Sequence, residues 1–135
     1  MRPLRLIVLP LLVAALAACE SNKIDNSMII DPGTGVSYAA EVQPLFTSGC
    51  GGFGCHIGEA TNGVNLTTYA DVMASVGLQY GGPIVVAGNG AGSPLVDKIG
   101  PNPTHGSRMP LTSEPFSATQ INIIRTWIDE GAENN

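Results

Sequence analysis

Cys50-Gly51-Gly52-Phe53-Gly54-Cys55-His56 sets the terms on which the rest of this chain is read. Two cysteines followed at once by a histidine are the residues of covalent haem attachment. Each thiol adds across one haem vinyl group to form a thioether, and the histidine beside the second thioether lies under the iron and supplies an axial nitrogen. The usual pattern has two residues between the cysteines, and this chain has four. Three of the four are glycine, which reaches positive φ at little steric cost. The loop can therefore bulge while both sulfurs still reach the vinyls. Phe53 is expected to cover the haem edge or to pack in the core.

The chain has 135 residues and three cysteines, enough for one domain. Its first 18 residues read as a leader. Arg2 and Arg5 form a basic start, and residues 6–18 are apolar apart from Pro10. That run is too short to span a bilayer as a helix and ends in small residues, as a secretory signal does. Leu16-Ala17-Ala18-Cys19 closely resembles the lipobox of bacterial lipoproteins. The resemblance implies cleavage before Cys19 and diacylation of Cys19; an ordinary signal peptide or a membrane anchor competes with it. Cys50 and Cys55 then remain as a pair in an oxidising compartment, where a disulfide, a metal site or haem attachment would use them.

Cleavage after residue 18 leaves 117 residues with four basic side chains against 11 acids, a formal charge of −7. So acidic a surface is poorly suited to nucleic acid or anionic lipid head groups. It suits a redox protein partner with a basic docking face, because charge complementarity chiefly raises the encounter rate.

Residues 19–36 are mostly polar and rich in turn formers, a tether from the lipid to a domain spanning 37–135. As a flexible coil, its 17 residues after Cys19 would span roughly 20–25 Å. Within the domain, Val42, Leu45 and Phe46 share one helical face, with Pro44 tolerable if a helix restarts near Gln43. Tyr69, Val72, Met73 and Val76 form a second helical stripe capped by Thr67 or Thr68. Pro83–Val86 is an extended segment at most. Ser93-Pro94 opens a third helix through about Ile99, with serine as N-cap and proline at the first helical position. Four prolines at 101, 103, 110 and 115 keep residues 100–116 irregular, and a loop of that length in a small domain is usually functional. Ser117 and Gln120 make a capping box for a last helix with the stripe Ile121, Ile124, Trp127 and Ile128, stopped by Gly131. Asp129 and Glu130 read as its solvated end. The expected fold is thus all-α, with about four short helices, long loops and a core that a buried haem would complete.

Beside His56, the iron needs a sixth ligand or an open site. Met28 falls in the tether, and core packing explains Met73. Met109, in the long loop between Arg108 and Pro110, has no other evident use, so His56 and Met109 are the favoured axial pair, with His105 the rival. Arg108 is either the cation for a haem propionate or a solvated surface charge.

Taken in order, these segments resemble the small monohaem c-type cytochrome domains of planctomycete-type and related bacterial groups. The resemblance is carried by Val42-Gln43-Pro44-Leu45-Phe46, Gly54-Cys55-His56, Gly63 to Tyr69, Gly88 to Ser93, Arg108-Met109-Pro110 and Trp127 to Ala132. Ile57 departs from it, standing where many members have glycine. It implies a cytochrome c-like fold in which the first and last helices cross around one haem c, with His56 and Met109 as axial ligands. The expected function is electron transfer by a membrane-anchored carrier that binds no small-molecule substrate. Glu20 after the lipidated cysteine leans towards the outer membrane, since an aspartate there retains lipoproteins in the inner membrane of some enteric bacteria. Three alternatives compete. The first is a haem-free binding module stapled by a Cys50–Cys55 disulfide. The second is an open-iron enzyme such as a peroxidase. The third is a zinc site built on Cys50, Cys55 and His56, although adjacent Cys55 and His56 are poorly arranged for tetrahedral chelation.

Overall fold

A computed structural model of the chain describes residues 35–135. The leader 1–18, Cys19, Met28 and all but the last two residues of the tether lie outside the described residues. Helices dominate the regular structure: α1 (Gln43–Gly49), α2 (Tyr69–Ala74), α3 (Pro94–Ile99) and α4 (Ala118–Asp129). One small antiparallel ribbon, β1 (Val76–Gly77) paired with β2 (Gly82–Pro83), departs from the all-α expectation. A tight turn makes it, in which Tyr80 and Gly81 donate back to the Gly77 carbonyl and Gly81 takes φ +69.

A π-helical turn, Tyr38–Val42, runs directly into α1. The Ser37 hydroxyl accepts from the Ala40 amide, and the Glu41 carboxylate accepts from the Ser37 amide. Pro44 sits in the first turn of α1, where the helix restarts at Gln43. The Thr68 hydroxyl caps α2 by accepting from the Asp71 amide. Ser75 then turns the chain extended, so Val76 leaves the stripe begun by Tyr69, Val72 and Met73 and stands exposed in β1. Proline opens α3 as expected, but the hydroxyl of Ser93 does not cap it. Fully buried, it donates to the Asn89 carbonyl and accepts from the Val86 amide, closing the preceding turn. At α4, both halves of the Ser117–Gln120 capping box are made.

The core gathers one face of each helix. Val42, Phe46, Val72, Ile124 and Ile128 are fully buried, with Trp127 and Ile99 almost so. α4 packs on the π-helical turn and on α3. The rings of Tyr38, Tyr69 and Trp127 meet with centroids 5.2–6.4 Å apart. Their polar ends are satisfied: Trp127 Nε1 donates to the Glu133 carbonyl, Tyr69 Oη to the Ala132 carbonyl, and Tyr38 Oη to Gln43 Oε1.

The carboxylates closing α4 are structural, not merely solvated. Asp129 accepts from the Gly90 amide at 2.6 Å and Glu130 from the Val36 amide at 2.7 Å. Asn135 adds bonds to Val36 and Tyr38. Val36 is consequently buried and belongs to the packed domain rather than to the tether.

Candidate cofactor site

Cys50 is the C-cap of α1, its amide donating to the Phe46 carbonyl at 2.8 Å. The chain then loops back on itself. The Cys55 amide donates to Gly52 O at 3.2 Å, and the His56 amide to Cys50 O at 3.1 Å. Gly52 and Gly54 take φ +123 and +73, the positive-φ conformations through which the four-residue spacer turns back so that the His56 amide reaches Cys50 O. Phe53 at the tip is fully exposed and takes no part in the core, because it caps a bulge that points away from the helices.

His56 is anchored on both sides. Its carbonyl accepts from the Leu66 amide at 2.7 Å, and its ring Nδ1 lies 3.1 Å from the Val64 carbonyl. A carbonyl only accepts, so Nδ1 carries the proton of that bond, and in the neutral ring the lone pair is on Nε2. Metal-binding histidines are characteristically held this way by the nitrogen that does not ligate.

Two clefts meet at Cys50, His56, Asn62 and Met109. One, of about 640 Å³ with its open mouth included, lies between apolar walls that include Val64, Leu66, Ile84, Leu95 and Ile99, and Gln79, Tyr80 and Lys98 also line it. The other, of about 750 Å³, runs under the cysteine loop past Phe53, Cys55 and Leu111.

The long loop brings Met109 to both clefts. Its amide donates to the Lys98 carbonyl at 2.9 Å. Arg108 straps the loop from within, Nε donating to Ile99 O and Nη2 to Phe116 O, each at 2.9 Å. At the loop's far end Phe116 packs so closely on Gly49 that a Cβ there would lie 2.5 Å from its ring, and Ser113 Oγ donates to the Gly49 carbonyl. The segment between is thereby laid across the end of α1.

Both thiols are free. Cys50 is buried, and its thiol is pushed up to about 12 by that burial and, secondarily, by Cys55. It is held protonated at neutral pH, which makes it a poor spontaneous nucleophile.

Of the residues expected at the site, Cys50, Cys55, His56 and Met109 converge. His105 does not. It is exposed, edge-on to Tyr80 with ring centroids 4.8 Å apart, and lines neither cleft. Arg108 lines neither cleft, and its bonded donors are turned to the loop it ties together. Lys98, Gln79 and Tyr80 are cleft residues that the sequence did not point to, although a count of the domain's few cations would have put Lys98 forward. Among the described residues no three His, Cys, Asp or Glu side chains cluster as metal ligands.

The donor chemistry fits a covalently attached haem. Two thiols flank a loop, an imidazole bonded to the backbone through Nδ1 leaves its other nitrogen unbonded to the backbone, a thioether shares the same clefts, and the walls are apolar. The chain matches no family model, no curated protein and no solved structure. Among the described residues no helix is long and apolar enough to cross a membrane.

Proposed function

We propose that this chain is an exported, lipid-anchored electron carrier with a cytochrome c-like fold around one covalent haem c, facing the periplasm or the cell surface from the outer membrane. The bond from His56 Nδ1 to the Val64 carbonyl carries the proposal, because it leaves Nε2 as a fixed donor beside two free thiols and Met109. Haem, when bound, supplies reversible one-electron exchange at iron.

The residues of the chain do the rest. Cys50 and Cys55 hold the group by thioethers, and His56 and Met109 supply nitrogen and sulfur, a pair that favours a high potential. Apolar walls at Val64, Leu66, Leu95 and Ile99 exclude water, which disfavours the more highly charged oxidation state. The chain enters the domain at Val36, by Glu130 and Asn135, whereas Cys50 lies at the far end of the helical stretch from Tyr38 to Gly49. Those 12 residues span about 18 Å at 1.5 Å each, so a tether at Val36 leaves the cysteine loop free for partners.

The test is expression with a c-type haem maturation system, followed by visible spectra before and after dithionite. The expected result is haem that survives acid-acetone extraction, a sharp reduced α-band, and the weak far-red band of methionine ligation when oxidised. Cys50→Ala with Cys55→Ala should abolish covalent haem. Met109→Ala should keep haem but make it high-spin and open to CO; an unchanged low-spin spectrum refutes Met109 as ligand. Absence of any Soret band refutes the electron-carrier function and leaves a disulfide-stapled binding module.

A further inference from the structure

We infer that Lys98, supported by Gln79 and Tyr80, is the carboxylate-binding end of the cleft and holds the haem propionates in place of Arg108; this rests on the haem reading above. In a haem the vinyl and propionate groups occupy opposite edges of the macrocycle. Attachment at Cys50 and Cys55 therefore directs the carboxylates away from the cysteine loop. Cys55 lines only the cleft beneath that loop, whereas Gln79, Tyr80 and Lys98 line only the other.

Lys98 is the one Lys or Arg among the residues lining either cleft. It is half-buried, and its ammonium is held in place, donating to Gln79 Oε1 at 2.7 Å and to the His105 carbonyl at 2.6 Å. Both acceptors are neutral oxygens, and an ammonium has three protons, so one donor and the whole charge remain to be matched. The ammonium also lies 5.9 Å from the Tyr80 ring centroid. The neighbouring carboxylate, Asp97, is already engaged by the Tyr80 hydroxyl at 2.6 Å and by the Thr104 amide and hydroxyl. A cation held by neutral partners is a ready site for a carboxylate, and charge-assisted bonds are the stronger ones. Arg108, by contrast, lines neither cleft.

The experiment uses the haem-loaded protein and reads the propionate-bending band by resonance Raman spectroscopy, with a haem stain and pyridine haemochrome assay on every sample. Lys98→Met should shift the band and lower the reduction potential with covalent haem retained, and Lys98→Arg should restore the wild-type band. Should Lys98→Met fail to fold, Lys98→Gln keeps a donor for the His105 carbonyl, loses the charge and reads the same band. An unmoved band in these uncharged Lys98 variants overturns the inference while leaving the electron carrier intact. Wild-type protein without covalent haem overturns both, and the stain distinguishes the two failures.

Discussion

Arg108→Ala should release the loop that carries Met109. The guanidinium joins Ile99 O, at the end of α3, to Phe116 O, just before α4, with both bonds at 2.9 Å. Hydrogen bonds from a charged donor contribute about 1.5–3 kcal/mol each. Arg108 is only half-buried, so solvent screening discounts each to about 1–2 kcal/mol and the two together are worth about 2–4 kcal/mol. If the loop opens without unfolding the domain, its open population should rise about 30- to 700-fold, at about 1.4 kcal/mol per decade. The Met109 amide, bonded to Lys98 O at 2.9 Å, is the reporter. Its native-state hydrogen exchange should accelerate by that factor. Arg108→Lys should fall between, because a single ammonium on a flexible stem does not reproduce the guanidinium fork that spans two carbonyls. A Met109 exchange rate in Arg108→Ala within about threefold of wild type, roughly 0.7 kcal/mol, would show that Arg108 does not hold the loop.

Ser117→Ala removes one half of the α4 capping box and should cost about 1 kcal/mol, read as a lower urea midpoint at unchanged slope; an unshifted midpoint refutes it. Gly63→Ala places a Cβ 2.2 Å from the Val76 carbonyl at φ +80, so it should cost more than about 1 kcal/mol and weaken protection of the Leu78 amide, which bonds to Asn62 O. Asp97 is held below its usual pKa chiefly by the Tyr80 hydroxyl, then by the Thr104 amide. A lowered carboxyl stabilises the fold above its unfolded pKa and loses that contribution as pH falls through its folded value, so Asp97→Asn should flatten the acid limb of the stability–pH curve. Tyr80, raised to about 12 by burial and by its bond to Asp97, has the opposite sign: its contribution is whole below pH 10 and is lost as pH rises towards 12. Tyr80→Phe should therefore flatten the alkaline limb, and urea titrations across pH that give parallel limbs for variant and wild type would refute either assignment.

Local chemistry was legible in the sequence. Proline at 44 and 94, threonine at 68, the Ser117–Gln120 box and the Ile124–Trp127–Ile128 stripe act within a turn or two of their own backbone, and the helices begin where those residues put them. The left-handed glycines of the cysteine loop belong to the same class. Stripes fail where a polar side chain at the helix end bonds back to the backbone. Val76 continues the spacing of α2, yet Ser75 Oγ, bonded to Asp71 O and Asn65 O, ends that helix a turn early. Polar side chains were the least readable. Ser93 at a helix start, Asp129 and Glu130 at a helix end, and Arg108 in a loop each have a local use that sequence suggests, and each is bonded instead to partners chosen by packing. A hydrogen bond is short-ranged and directional, so its partner is settled only when distant segments are brought within about 3 Å. The sequence alone determined which residue types could bind a haem. Only the tertiary structure decided that Met109 rather than His105 shares a cleft with His56, and that Lys98 rather than Arg108 is the cation lining it, because both choices depend on how a proline-broken loop is strapped across the end of α1.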